Sequence, residues 1–289
     1  MNSPNGPKIY LLPNLMTAGN LFCGFAATLR ILEGTILRAN EVGGINRFRE
    51  AIILILAACI FDLLDGRLAR LGGHESPFGR EFDSLADIVS FGIAPALLVH
   101  EVVLLDFPER WGLVISFVYL CCGAMRLARF NCLAADPDPE ASKSFKGLPI
   151  PAAAGVISSL TLFMLWLEEG EKSIGKWRYA LPILMLFLAW MMFSQFKYPS
   201  FKVVNWRTQR SIPAFLFIIL LFVFTVLNYQ WMPFVLFMAY LLYGFLRPWL
   251  SRSWRREIEE TIDEEPDPAD VEVPVEQTKS IPEPPPAER

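Results

Sequence analysis

A chain of 289 residues with 53% apolar and 19% charged residues falls short of the charged share of about 25% found in ordinary soluble domains, which excludes that class and points to a polytopic membrane protein. The formal net charge of -4 hides an asymmetry: Glu257 to Arg289 carries twelve acidic residues against Lys279 and Arg289, and the remainder is basic, as suits a protein set between anionic leaflets. Cys23, Cys59, Cys121, Cys122 and Cys132 all fall in apolar stretches without paired spacing, and His74 and His100 are the only histidines; this excludes a disulfide scaffold and a thiolate zinc site, and leaves carboxylates and a hard cation such as Mg2+ or Mn2+ for any metal centre.

The N-terminal stretch MNSPNGPKIYLLPNLMTAGN has one lysine and no small-residue cleavage pattern, so it reads as a retained first helix. A membrane-crossing helix needs about 20 apolar residues, fewer inside a bundle. In chain order that length predicts eight transmembrane helices: Ile9 to Leu32, Phe48 to Leu71, Arg80 to Leu105, Trp111 to Leu133, Leu148 to Leu167, Tyr179 to Phe193, Ile212 to Asn228 and Trp231 to Arg247. Only Tyr229 and Gln230 separate the last two, which demands a tight hairpin. The expected fold class is therefore an all-α integral membrane protein. Its catalytic unit spans 1–256, and the acidic, proline-rich stretch 257–289 lacks the apolar content to offset ordering entropy and reads as a disordered tail.

With the N-terminus in the cytoplasm, Lys8, Arg67, Arg70, Arg80, Arg126, Arg129, Lys143, Lys146 and the basic residues between Lys197 and Arg256 collect at the inner face. Arg30, Arg38, Arg47, Arg49, Arg110, Lys172, Lys176 and Arg178, several of them beside glutamates, are left for the other. That bias predicts both termini in the cytoplasm. It also puts FDLLDGRLARLGGHESPFGREFDSLADIVSFG, Phe61 to Gly92, at the cytoplasmic mouth of the second and third helices.

Residues three or four apart share a helix face, so Asp62 and Asp65 point one way near the end of the second helix and Asp83 and Asp87 do so near the start of the third. Gly72, Gly73, Pro77 and Gly79 allow the chain to turn back between them, so that four carboxylates converge. Each buried charge costs roughly 2.5 to 3.5 kcal/mol at a helix centre. Two divalent cations would offset them, and such a pair suits phosphoryl transfer by clamping the attacking and leaving oxygens. Gly66 and Ala69 leave room for a bulky group against the helix, and Arg70, one turn after Gly66, is placed to take a phosphate oxygen. The bland alternative is an interface in which these aspartates merely pair with Arg67, Arg70 and Arg80.

Written as a pattern, the stretch is Asp62-x-x-Asp65-Gly66-x-x-Ala69-Arg70, eight residues, then Gly79-x-x-x-Asp83-x-x-x-Asp87. It resembles without gaps the signature of the CDP-alcohol phosphatidyltransferases, membrane enzymes that move a phosphatidyl group from a CDP-linked lipid to an alcohol. The resemblance implies a six-helix core, a homodimer, and a site open to the cytoplasm and the lipid. It also implies that Asp62, Asp65 and Asp83 hold the divalent ions, that Asp87 is both ligand and general base, and that Gly66, Ala69 and Arg70 meet the cytidine diphosphate, with Ser76 near its phosphates. Asn14 and Thr17 in LPNLMTAGNLFCG are candidates for the nucleotide side, with helix capping as their alternative.

Together with FGREFDSLADIVSFGIAP, MRLARFN and FKGLPIPAAAG, that opening segment makes the chain most similar to the bacterial branch that uses serine, and two helices beyond the core fit that branch. The implied partners are CDP-diacylglycerol, L-serine and membrane lipids, with no nucleic acid, in the cell inner membrane. Arg126 and Arg129, with Lys146 behind them, are the acceptor-side candidates, against a reading as positive-inside anchors. Basic residues alone do not choose among serine, glycerol 3-phosphate, inositol phosphate and choline. A divalent-cation transporter is the distant alternative, disfavoured because no internal repeat or interrupted helix is visible in the sequence.

Overall fold

The computed structural model describes residues 11–72, 76–135, 147–169, 179–194 and 211–246, and these contain helices and turns but no strand. Eight apolar helices follow the expected order: α1 Leu11–Ala39, α2 Ile45–Gly72, α3 Pro77–Val102, α4 Glu109–Ala135, α5 Ile150–Glu169, α6 Ala180–Phe193, α7 Ser211–Leu227 and α8 Met232–Leu246. Four of them, α1, α3, α4 and α5, are long and apolar enough to cross a membrane by length and composition. Lys146 and the tail 257–289 lie outside the described residues, and of Ala69 and Arg70 only the helical backbone is described.

α1 runs seven residues beyond the expected end at Leu32, because the charges there are paired and need not mark a boundary. Arg30 meets Glu33 at 2.7 Å and Glu50 at 3.2 Å, while Arg47 meets Glu50 at 2.9 Å and Glu33 at 3.5 Å. All four are partly exposed, so each pair contributes little by itself, but together they fasten α1 to α2 at the end away from the aspartates. The turn between these helices uses Gly44 at φ 137°, where a side chain would strike the Gly34 carbonyl at 2.5 Å.

α3 starts at Pro77, not Arg80, because Ser76 caps it: the Gly79 amide donates to Ser76 Oγ at 3.0 Å, and Pro77 needs no donor in the first turn. α3 is α-helical over Pro77–Asp87 and Ala94–Val102, with a π-helical stretch at Ile88–Ile93 between them. Such wide turns leave carbonyls without their usual partner. Here the buried Tyr119 hydroxyl of α4 donates to the Phe91 carbonyl at 3.0 Å.

The core centres on α5, which buries Ile150, Ala153 to Leu162, Met164 and Leu165 and packs against α2, α3, α6 and α8. Its small residues let neighbours approach closely, as helix pairs in lipid require. A Cβ on Gly155 would lie 2.2 Å from the Phe237 ring of α8. α7 packs against α8, and it leaves Leu216, Leu220, Phe222 and Leu227 exposed, as a helix facing lipid does.

Candidate active site

The acidic residues meet where α1, α2 and α3 pack together. Asp62 of α2 and Asp83 and Asp87 of α3 each bring a carboxylate oxygen within 4.8 Å of the other two. Asp87 is only 5% exposed, and Asp65 lies buried beside the trio, within Coulombic reach of Asp83 and Asp62. The expectation of four converging carboxylates thus takes the form of a close trio with the fourth alongside. Asp65 Oδ2 accepts a hydrogen bond from Thr17 Oγ1 at 3.1 Å, which fixes that carboxylate against α1.

Asn20 was not singled out in the sequence. Its Nδ2 donates to Asp87 Oδ1 at 3.1 Å, and it is fully buried. The available signal was its position three residues after Thr17, which places both on one face of α1. α1 comes this close because of Gly24, where a Cβ would lie 2.2 Å from Ser90 Oγ and 2.6 Å from Ser90 Cα. Ser90, in the π stretch just after Asp87, donates to the Asn20 carbonyl at 2.9 Å and completes the junction.

Three buried polar atoms here lack a partner among the described residues: the acceptors Asp83 Oδ1 and Asn20 Oδ1 and the donor Asn14 Nδ2. Buried polar groups without partners are costly, and their presence in one site marks where a ligand completes the bonding. An all-oxygen donor set with an unsatisfied carboxylate oxygen fits a hard divalent cation. Asn14 sits over the first turn of α3, its Oδ1 3.4 Å from where a Gly79 Cβ would be, so Gly79 leaves space between Asn14 and Ser76. Ser76 Oγ is engaged as the helix cap, which adds a structural duty to the expected one. Gly66 is partly exposed on α2 one residue beyond Asp65.

Arg126 and Arg129 of α4 separate in the fold. Arg129 is exposed, whereas Arg126 has a buried Nε and lies within Coulombic reach of Asp87 and Asp62. α3 and α4 are also joined beside the site through Asn131, whose Nδ2 donates to Ser84 Oγ at 3.0 Å and Glu81 Oε2 at 3.1 Å.

The geometry defines a helical membrane protein with a carboxylate centre at the junction of three helices. The chain belongs to the CDP-alcohol phosphatidyltransferase family, whose model matches residues 10–195, and it is a multi-pass membrane protein. It is 37% identical over 242 residues to a CDP-diacylglycerol–serine O-phosphatidyltransferase of Helicobacter pylori (strain ATCC 700392 / 26695), covering 84% of this chain and 92% of that one. A protein of the same name from Mycobacterium tuberculosis (strain ATCC 25618 / H37Rv) is 36% identical over 168 residues, 57% of this chain and 53% of that one. An archaetidylserine synthase of Methanothermobacter thermautotrophicus is 32% identical over 201 residues, 69% and 74% of the two chains.

Proposed function

We propose that the chain transfers the phosphatidyl group of CDP-diacylglycerol to the hydroxyl of L-serine, forming phosphatidylserine and CMP. The observation that carries this reading is the trio Asp62, Asp83 and Asp87, partly to fully buried at a junction of helices, where divalent cations would offset the negative charge and in turn hold a phosphate-bearing ligand. The choice of serine draws on the relatives, which carry serine in their names.

Asp87 acts as general base. Asn20 holds its Oδ1, and the remaining oxygen takes the proton as the serine hydroxyl attacks the lipid-linked β-phosphorus and the bond to CMP breaks. The displacement is direct. Asp62, Asp65, Asp83 and Asp87 would hold two divalent cations, Mg2+ or Mn2+, which when bound supply charge stabilisation for the pyrophosphate. Asn14, Thr17, Gly66, Ala69, Arg70 and Ser76 would bind the CDP-lipid. Arg126 binds the serine carboxylate, with Arg129 and Lys146 drawing the acceptor in from the basic face. The enzyme works as a homodimer in the cell inner membrane, with site and termini cytoplasmic. The distribution of basic residues supports that orientation.

The test is a product assay on purified enzyme with CDP-diacylglycerol and Mg2+ or Mn2+, offering serine, glycerol 3-phosphate, inositol, inositol phosphate and choline in parallel. Serine-dependent CMP release with phosphatidylserine formed, absent in Asp87→Asn, is the expected result. Turnover with another alcohol alone would overturn the acceptor. Exchange of labelled CMP into the CDP-lipid without serine would overturn direct displacement.

A further inference from the structure

The protein holds the carboxylates of the site in different ways. Thr17 holds Asp65 and Asn20 holds Asp87, both from α1, whereas Asp83 Oδ1 has no partner among the described residues. Where the Asp83 carboxylate stands therefore depends on how its stretch of α3 is held. That stretch is gripped from α4. Asn131 Nδ2 donates to Glu81 Oε2 at 3.1 Å and to Ser84 Oγ at 3.0 Å, and Ser84 Oγ lies 3.3 Å from Asn131 Oδ1, so that the amide meets residues on both sides of Asp83 in the chain. Glu81 and Ser84, three apart, share the face of α3 turned to α4, while Asp83 and Asp87, four apart, share the face turned to Asp62 of α2. Leu127, one turn before Asn131, is buried, so the gripping face of α4 is its inward one.

A cation shared by carboxylates from two helices is bound well only if the helices stand at a fixed separation and rotation, because a ligand displaced by a fraction of an ångström leaves its coordination position. Asp87 is secured from α1 by the Asn20 amide and by the Ser90 junction just beyond it. Asp83 lies a turn nearer the open start of α3, where a bond from a neighbouring helix is the available restraint. We propose that Asn131 is a positioning residue for Asp83: by holding Glu81 and Ser84 it fixes the first turns of α3, so that α4 sets the geometry of a cation site whose acidic ligands stand on α2 and α3. This rests on the metal-binding reading above and is independent of the acceptor.

The experiment is a calorimetric titration of the full chain in detergent with Mn2+ alone. Asn131→Leu, which removes the amide at similar volume, should weaken Mn2+ binding roughly ten-fold. Asn131→Asp sets a carboxylate against Glu81 and should weaken it at least as much. Adding Glu81→Gln to Asn131→Asp should restore the parent affinity, because amide and carboxylate have then changed places, the hydrogen bond is kept and the net charge is that of the parent. A merely structural loss would not be recovered by that exchange. Parent-like affinity in Asn131→Leu, or no recovery in the paired variant, would each overturn the role of Asn131; if Asn131→Leu does not fold, the Asn131→Asp pair decides alone. If the parent binds Mn2+ and the variants bind it equally well, only this role falls; if the parent binds none, the metal-binding reading falls first and takes this one with it.

Discussion

Asn20 decides which oxygen of Asp87 is left for chemistry, since its amide occupies Oδ1 from inside α1. Replacing it with leucine, close in volume, should leave the helices packed but free Asp87 to turn, lowering kcat by about 10- to 100-fold with little change in either KM. Asp83→Asn removes charge at the carboxylate whose Oδ1 has no partner among the described residues, and should abolish turnover while the protein still inserts and folds. A metal titration followed by calorimetry would then show weakened cation binding; a mutant as active as the parent would remove the carboxylates from the metal-binding role. The spacing of Asp62, Asp65, Asp83 and Asp87 was enough to find this centre because charge in an apolar helix stands out. Asn20 was hidden because an uncharged amide in the first helix has no such contrast, and only the approach of α3 gives it a partner.

At the scale of elements, the junction of α1 and α3 depends on Gly24 and on the π turn that follows Asp87. Gly24→Ala would force a methyl against Ser90 Cα and Oγ, so the helices must separate, at about 1–3 kcal/mol. The predicted outcome is a lower thermal midpoint together with reduced kcat, because the same movement draws Asn20 away from Asp87. Ser90→Ala should not restore either property, since part of the clash is with the backbone; full rescue would show that only the side chain matters. The eight helices were legible because apolar length registers directly in sequence. Neither the π turn nor the extension of α1 to Ala39 was legible, since one is set by the Tyr119 hydroxyl from α4 and the other by ion pairs with α2.

At the scale of the whole molecule, the described charges divide between two ends. Arg30, Glu33, Arg47 and Glu50 neutralise one another at one end, with Arg49 and Glu169 tying α2 to α5 there. The aspartates with Arg126 and Arg129 mark the other. The basic residues that the sequence collects at the site end are the ground on which the site is proposed to face the cytoplasm. Cys132 offers a native reporter of that assignment. It is exposed near the end of α4 on the site side, while Cys23 is buried and Cys59, Cys121 and Cys122 are partly buried within the helices. A membrane-impermeant maleimide should therefore label the protein in inverted vesicles and not in right-side-out ones, and Cys132→Ser should abolish the labelling. Modification of Cys132 from the outside would reverse the orientation. It would also force the soluble acceptor to reach the carboxylate centre from the opposite compartment, which would leave the basic face without its role of drawing that acceptor in.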